Sequence, residues 1–226
     1  ALREAKALGA RSLSIVNVVG SSIARESDDV LYTWAGPEIA VATTKAFVTQ
    51  MAIIDLLAVW LAAQLGRLSA EEENRLTTAI AALPAQVEQI LSSRERIQYY
   101  ASQYFNHDSV FFIGRNLDYA LGMEGSLKLK EISYIHSEAY ASGELKHGTI
   151  SLIEPGTLVV ALGTYSPLFD KAMSNVIEVK ARGASVLALA TESHRAEMES
   201  RVDGILTIPD TELMFLPLLG VVPLQL

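Results

Sequence analysis

Three charged side chains between residues 124 and 131 have the types and the spacing of an acid/base site. Residues 122–134 are predicted to be helical, and a helix advances by about 100° per residue. Glu124, Lys128 and Glu131 would therefore lie within about 60° of one another on one helix face, with two carboxylates flanking one ammonium. Salt bridges on ordinary solvent-exposed helices have the same spacing, so the pattern by itself favours that simpler interpretation.

Apolar residues border this charged face of the predicted helix. Leu121, Leu127, Ile132 and Ile135 lie on either side of it in the helical projection. We expect the three charges to lie against packed apolar surface, where desolvation and mutual pairing shift pKa values most. The segment is therefore a candidate for proton transfer.

Composition limits the classes of partner and of chemistry. The chain has 226 residues, of which 50% are hydrophobic and 19% charged, so it can bury a sizeable core. A net charge of −8 without a Lys/Arg block disfavours nucleic acids and anionic membranes as partners. The absence of cysteine excludes disulfides, thiolate catalysis and Cys-ligated zinc, and a cytoplasmic location is the default expectation.

Neither a membrane span nor a signal peptide is predicted. The longest apolar run, residues 51–65, contains Asp55 and Gln64 and is shorter than the roughly 20 residues that span a bilayer, so it predicts a buried helix. The first helix lacks a capping residue and the last residues are apolar. We therefore expect this chain to be a piece of a longer one.

Strands and helices alternate along the sequence. Strands are predicted at residues 12–19, 30–33, 110–114, 157–163, 185–190 and 204–208. Helices are predicted at residues 38–65, from Ser69 with its capping-box partner Glu72 to a break at Pro84, and at 85–105, 122–134, 169–182 and from Thr211 onward. Apolar strands separated by such helices indicate an α/β fold, an αβα sandwich around a parallel sheet.

Polar residues follow two of the predicted strands at the edge where such sheets bind ligands. Arg115 and Asn116 follow the strand that ends at Gly114, and Thr164 and Ser166 follow the strand that ends at Gly163. Ligands of open parallel sheets bind beyond the carboxyl ends of the strands. These residues therefore mark a candidate binding edge.

Three segments, residues 35–47, 124–136 and 138–148, resemble the sugar isomerase (SIS) domains of the glutamine:fructose-6-phosphate aminotransferase (glucosamine-6-phosphate synthase) family. The similarity extends over nearly the whole chain. It implies tandem SIS domains with flavodoxin-like parallel sheets. Residues 1–66 would be the C-terminal part of a truncated first domain, residues 67–108 a helical linker, and residues 109–226 a second domain without its C-terminal tail.

The resemblance also implies an activity and a set of site residues. Family members make glucosamine 6-phosphate from fructose 6-phosphate and glutamine-derived ammonia, which a glutaminase domain in the parent chain supplies. Glu131 matches the base that moves a proton between C1 and C2, with Lys128 and Glu124 beside it. His147 matches the histidine for sugar ring opening, contributed across a homodimer interface.

The first domain is expected to supply substrate contacts. Val41 and Thr43 match substrate-contacting positions, and Thr44 belongs to the same hydroxyl-rich segment. A serine is more usual in the family where Thr43 stands, and Thr149 replaces a usual proline. The chemistry agrees with the resemblance, since aldose–ketose interconversion needs a base, a second acid/base and a cation, for which Glu131, His147 and Lys128 are the candidates.

No cofactor and no metal are expected. The four histidines, at positions 107, 136, 147 and 194, show no metal-ligand spacing. His136 is predicted to be a packed or capping residue and His107 a turn residue, while Trp34 and Trp60 are predicted to lie in the core or an interface.

Two other functions remain open from the sequence. A non-catalytic SIS regulator would bind sugar phosphates without reacting, although it has no reason to keep the acid/base set together. An amino-sugar deglycase or deaminase of the same fold would run related chemistry. The chain by itself is expected to be inactive, because the phosphate-binding loops of the family precede the matching region and a further lysine follows it.

Overall fold

The computed structural model describes all 226 residues, which form two compact units, Ala1–Ile80 and Ala81–Leu226. The helices are α1 (Leu2–Ala7), α2 (Ser22–Glu26), α3 (Lys45–Gln64), α4 (Ala70–Ser92), α5 (Arg94–Tyr104), α6 (Leu117–Ser133), α7 (Phe169–Ala181), α8 (Arg195–Glu199) and α9 (Leu216–Gln225). The strands are β1 (Leu13–Val16), β2 (Asp29–Tyr32), β3 (Ser109–Gly114), β4 (His136–Ala141), β5 (Leu158–Gly163), β6 (Ser185–Thr191) and β7 (Gly204–Ile208).

The first unit contains a two-stranded parallel sheet, β1 beside β2, and the long helix α3. This helix begins at Lys45, seven residues later than predicted. Glu38 lies outside the helix, where its carboxylate accepts hydrogen bonds from the Ala46 amide at 3.1 Å and from the Thr44 hydroxyl at 3.4 Å. Because an anion stabilises a helix N-terminus, Glu38 acts as a cap rather than as a first-turn residue.

Helix α3 is only partly buried, with Ala46 and Val59 as its two buried residues, so the expectation of a buried helix is wrong. Only 11% of its most apolar 18-residue window is buried, and that window has a mean hydropathy of 1.9. By length and composition alone, α3 is long and apolar enough to cross a membrane. The expectation of no membrane span rested on the apolar run of residues 51–65, whereas the 18-residue apolar window of α3 begins before residue 51. Two strands are also too narrow a sheet to cover it.

Both tryptophans are exposed in the first unit, contrary to a core location. Trp34 is 78% exposed and follows β2, and Trp60 on α3 is 56% exposed. Trp34 contacts the Tyr32 ring, with a centroid separation of 5.8 Å. Of the two predicted locations, the core is therefore excluded for both side chains, and the interface stays a prediction.

Helix α4 begins with the predicted capping box. The Ser69 amide and hydroxyl donate to the Glu72 carboxylate, and the Glu72 amide donates to Ser69 Oγ at 3.2 Å. Pro84 does not break the helix, which continues to Ser92. A proline inside a helix removes the hydrogen bond to the carbonyl four residues earlier, here that of Ile80, and α4 tolerates this loss. A new helix, α5, starts after Ser93.

The second unit contains a five-stranded, fully parallel sheet in the order β4-β3-β5-β6-β7. Numbered by their order within this unit, the strands run 2-1-3-4-5, which is the flavodoxin-like arrangement. The prediction of a flavodoxin-like parallel sheet is confirmed. Strand β4 was not predicted, because its sequence, His-Ser-Glu-Ala-Tyr-Ala, lacks β-branched residues.

Helices cover both faces of this sheet. Phe111 and Ile113 of β3 belong to a buried cluster with Val176 of α7. Phe112, which points to the opposite face, lies under α6, where a Cβ added at Gly122 would come within 3.5 Å of it. Because alternate residues of a strand point to opposite faces, these contacts place helices on both sides, and the αβα sandwich is confirmed.

Candidate functional site

Helix α6 carries the acid/base candidates, and its first turn is held tightly against the end of β3. A Cβ added at Gly114 would lie 2.5 Å from the backbone carbonyl of Asp118, so only glycine fits this turn. The chain then passes through Asn116 with a φ of 54° before the helix starts. At the other end, Tyr134 adopts a left-handed conformation with a φ of 61°, and its amide donates to the Lys130 carbonyl at 3.2 Å. Both ends of the helix are thereby defined.

Glu124, Lys128 and Glu131 come together as predicted from their spacing. Lys128 Nζ lies 2.7 Å from Glu131 Oε2 and 3.5 Å from Glu124 Oε1. The Lys128 side chain is only 4% exposed, compared with 15% for Glu124 and 34% for Glu131. The ammonium is therefore buried between two carboxylates, one mostly enclosed and one open to solvent.

The environment of Lys128 keeps its ammonium charged. Burial alone would lower the pKa of Lys128, but the hydrogen bond to Glu131 and the charges of Glu124 and Glu131 raise it, and the net direction is above the ordinary value. Lys128 therefore keeps its proton at neutral pH. It can hold a carboxylate in place or stabilise developing negative charge, but it does not act as a base.

The apolar border of the charged face is less buried than predicted. Leu121 is 3% exposed, whereas Leu127 and Ile132 are 42% and 61% exposed. Helix α6 packs on the sheet through Gly122 and Gly125, and Leu121 lies against Gly220 of α9, whereas Leu127 and Ile132 lie on the outer side of α6. The site is closed on the side of the sheet and open on the other.

Two buried hydroxyls attach the middle of α6 to strand β4. Ser126 Oγ and Ser137 Oγ lie 2.9 Å apart, and the Ser137 hydroxyl also donates to the Ser126 carbonyl at 2.8 Å. Both residues are at most 2% exposed. Because buried hydroxyls need partners, this pair fixes the position of α6 between Glu124 and Lys128.

His147 ends a short 3-10 helix, Leu145–His147, that follows β4. Its side chain is exposed, and no hydrogen bond or ion pair connects it to Lys128 or Glu131. Leu145 is fully buried in the core cluster, and Gly148 has a φ of 153°, a conformation that favours glycine. The structure therefore presents His147 outward from a well-anchored segment.

The predicted binding edge contains a buried carboxylate that the sequence analysis missed. Asp118 is 2% exposed and accepts hydrogen bonds from the amides of Thr164 and Tyr165, each at 3.0 Å, and from the Thr164 hydroxyl. Burial raises the pKa of Asp118 despite these donors. The carboxylate joins the turns after β3 and β5. Its position in the first turn of α6, before a run of apolar residues, was the available signal.

The other predicted edge residues have different environments. Arg115 is half-buried and donates from Nε to Asn175 Oδ1 at 3.0 Å, while Asn116 and Ser166 are exposed. Thr164 is buried, and its hydroxyl donates a hydrogen bond to Asp118. Only Asn116 and Ser166 therefore have their side chains open to solvent at this edge.

The substrate-binding candidates of the first unit lie in the segment before α3. Val41 is 95% exposed and Thr43 is exposed, while Thr44 is partly buried and donates to Glu38. The three residues lie next to the capped N-terminus of α3, where backbone amides favour anionic groups.

The remaining histidines have ordinary surroundings. His107 follows the turn after α5, as predicted, with its amide donating to the Tyr104 carbonyl at 3.2 Å. His136 is not a packed residue, since its side chain is 64% exposed and lies 3.5 Å from the Glu138 carboxylate. Its position at the start of an edge strand explains this exposure.

Comparison with known proteins gives one family and a set of close relatives. A family model described as the SIS domain matches residues 1–60 and 103–216. The chain is 53% identical, over all 226 residues, to a glutamine–fructose-6-phosphate aminotransferase (isomerizing) from Clostridium acetobutylicum. It is 54% identical over the same length to the protein of that name from Caldanaerobacter subterraneus subsp. tengcongensis. The chain spans 37% of the length of each of these relatives.

A solved structure shows the same architecture. The C-terminal domain of glucosamine-fructose-6-phosphate aminotransferase from Francisella tularensis superimposes with a TM-score of 0.93 at 35% sequence identity. The match covers 99% of this chain and 64% of that one.

Proposed function

The chain belongs to the SIS domain family, and on that basis we propose that it is the isomerase part of a glutamine:fructose-6-phosphate aminotransferase. The substrates would be fructose 6-phosphate and ammonia released from glutamine, and the product glucosamine 6-phosphate. A sequence identity of more than 50% to each of two aminotransferases supports this assignment. Because the chain spans only 37% of the length of those proteins, a glutaminase domain can lie elsewhere in the parent chain.

One observation carries the catalytic part of the proposal. Glu131 Oε2 accepts the hydrogen bond of Lys128 Nζ, whereas Glu131 Oε1 has no partner and the side chain is 34% exposed. A carboxylate that is held by one oxygen and open at the other can accept a proton from a bound substrate. Glu124, at 15% exposure, contacts the ammonium from the enclosed side and is suited to a supporting role.

The steps of the proposed reaction are assigned to individual candidate residues. Ring opening breaks the C2–O5 bond of the sugar, removes a proton from the anomeric hydroxyl and adds one to O5, and we assign this transfer to His147. Ammonia condenses with the C2 ketone and releases water. Glu131 then takes a proton from C1 and returns it to C2, while the charged Lys128 stabilises negative charge that develops nearby.

We also propose that residues 1–66 of the first unit are the C-terminal part of the first of two tandem SIS domains. Its element order, α1-β1-α2-β2-α3, repeats the order α7-β6-α8-β7-α9 at the end of the second unit. In both, the first helix is followed by a glycine in the left-handed region, Gly9 with a φ of 84° and Gly183 with 87°. Helix α9 is buried in its unit, so its counterpart α3 would be buried by the rest of the first domain in the parent protein.

Further features of the proposal concern the assembly and its location. We propose a cytoplasmic homodimer in which His147 acts in the site of the neighbouring subunit, and in which Val41, Thr43 and Thr44 contact the substrate. The exposed position of His147, without a bond to Lys128 or Glu131, supports this arrangement. No nucleic acid, membrane, metal or cofactor is part of the proposed function.

The test is proton exchange at the sugar carbons. Full-length parent protein is incubated with fructose 6-phosphate and glutamine in D₂O, and deuterium at C1 of the ketose and at C2 of the glucosamine 6-phosphate formed is followed by NMR. We expect rapid incorporation by the wild-type protein and a loss of about 100-fold or more in Glu131→Gln, which keeps the shape but removes the base.

A matched control is Glu197→Gln, because Glu197 is an exposed glutamate on α8 whose carboxylate has no partner. This variant should exchange like the wild type. Binding of fructose 6-phosphate without exchange by any of the proteins would indicate a sensor. Exchange that survives in Glu131→Gln would exclude Glu131 as the base.

A further inference from the structure

Residues 143–148, the His147 segment, are tied to helix α7 by a chain of polar contacts that the catalytic assignment does not use. The chain of contacts begins at Arg115, after β3, and ends at Lys146, the neighbour of His147. Its members come from three separate parts of the second unit. The role inferred for these contacts rests on the proposed function of His147.

The first contact is between Arg115 and Asn175. Arg115 Nε donates to Asn175 Oδ1 at 3.0 Å, and Asn175 is only 2% exposed. The guanidinium also lies against Gly143, where an added Cβ would come within 3.0 Å of both terminal nitrogens. Arg115 therefore contacts the start of the His147 segment while it is held by a buried amide on α7.

The second contact is between Asn175 and Glu178, one turn further along α7. Asn175 Nδ2 donates to Glu178 Oε2 at 3.1 Å, and Lys146 Nζ lies 2.7 Å from Glu178 Oε1. Burial by itself would raise the pKa of Glu178, but the hydrogen bonds from Lys146 and Asn175, with the charges of Lys146 and Arg115, lower it overall. Glu178 is therefore charged at neutral pH and uses both oxygens.

The backbone of the His147 segment is also held in place by burial and by a hydrogen bond. Leu145 is fully buried, and the His147 amide donates to the Glu144 carbonyl at 3.0 Å. The His147 side chain is exposed, and no hydrogen bond, ion pair or ring contact orients it. Its direction therefore depends on the residues on either side, of which Lys146 is bound to α7 and Gly148 allows the chain to turn.

We propose that Glu178, held by Asn175 and Arg115 and acting through Lys146, is a positioning residue that aims His147 for sugar ring opening. Small misplacements of a catalytic group reduce rates strongly, on the order of 100-fold for about 1 Å. Loss of the Glu178–Lys146 pair should therefore slow ring opening and leave the later proton transfer by Glu131 unchanged.

The test compares two substrates in the full-length parent protein. Fructose 6-phosphate must be opened before it reacts, whereas 5-deoxyfructose 6-phosphate lacks the hydroxyl that closes the furanose and is always open. For Glu178→Ala we expect about a tenfold fall in the rate of deuterium incorporation with fructose 6-phosphate and less than a twofold change with the 5-deoxy compound. Lys146→Ala should behave in the same way, and Lys146→Arg should keep most of the activity.

The matched control is Lys180→Ala, which removes an ion pair of similar length, 2.8 Å to Asp203, from the same helix. It should leave the rates with both substrates unchanged. Equal losses with both substrates in Glu178→Ala, or no loss with either, would overturn the positioning role. Failure of the wild-type protein to exchange either substrate would instead overturn the proposed function, and this inference with it.

Discussion

Lys128 occupies one carboxylate oxygen of Glu131 and leaves the other one open. The contact is 2.7 Å long, and the ammonium that makes it is almost fully buried. Because burial is compensated by two carboxylates, the charge on Lys128 is stable and the orientation of Glu131 is fixed. An ordinary surface salt bridge would lack both properties, since both of its members would be exposed.

Replacing Lys128 by methionine tests this relationship. The variant Lys128→Met keeps the length of the side chain but leaves the mostly enclosed Glu124 without its partner. We expect the free energy of unfolding to fall by about 2 kcal/mol and the exchange rate at C1 and C2 to fall by about 100-fold or more. Chemical denaturation and the deuterium assay measure the two effects.

Lys130→Met is the control for this substitution, because Lys130 is exposed on the same helix and has no ion pair. Its stability should change by no more than about 0.5 kcal/mol. If the two variants behaved alike, the buried position of Lys128 would have no special importance.

A mixture of two inactive variants tests whether His147 acts in the neighbouring subunit. Glu131→Gln and His147→Ala are co-expressed in the full-length parent protein with different tags. In a symmetric dimer with shared sites, each mixed dimer has one intact site, so a random mixture should recover about a quarter of wild-type activity.

The same experiment has a clear opposite outcome. If Glu131 and His147 of one site came from the same subunit, every site in the mixed dimer would lack one of them. Activity would then stay at the level of the two variants alone. Purification through both tags in sequence gives the mixed dimer itself, which should have half the activity per site.

Asp55 on α3 should make the stability of the chain depend on pH. Its carboxylate has no hydrogen-bond partner, and burial raises its pKa to about 6. A raised pKa means that the stabilising contribution is complete below the ordinary value of about 3.9 and is lost as the pH rises through about 6. The difference in unfolding free energy between wild type and Asp55→Asn should therefore change in that window, with the wild type losing stability relative to the variant.

The pKa of Asp28 is shifted in the opposite direction from that of Asp55, so Asp28 serves as a comparison. Hydrogen bonds from Lys6 and Ser12 hold the pKa of Asp28 well below its ordinary value. Its contribution should be present at neutral pH and be lost only as the pH falls below the ordinary range of aspartate. A pH profile of Asp55→Asn that followed the profile of Asp28→Asn would contradict the assignment for Asp55.

The sequence predicted strands accurately where apolar residues follow one another without interruption. Strands β3 and β5 are continuous apolar segments that end in glycine, and both were predicted within two residues. The edge strand β4 was missed because half of its residues are polar. The predicted start of helix α3 is seven residues too early. Glu38 lies before the helix and accepts a hydrogen bond from the Ala46 amide, a contact that helical periodicity does not reveal.

The site was predictable to the extent that it is local in sequence. The contacts of Lys128 with Glu124 and Glu131 follow from helical spacing, and the structure gives the distances expected from it. The pairing of Lys146 with Glu178 could not be predicted, because the two residues are 32 positions apart and a complete strand lies between them. The same holds for Asp118, whose partners belong to a turn after another strand.

The absence of a side chain at Gly114 sets the direction of helix α6, and with it the direction of the Glu131 side chain near the other end of that helix. A methyl group there would meet the backbone of Asp118, and the start of α6 would have to rotate or move away from the sheet. A helix transmits such a rotation along its whole length, and Glu131 lies about 20 Å from Asp118 along the axis. The direction in which the Glu131 carboxylate points is thus set at the opposite end of the helix, and in the proposed reaction this is the direction from which it would meet the sugar.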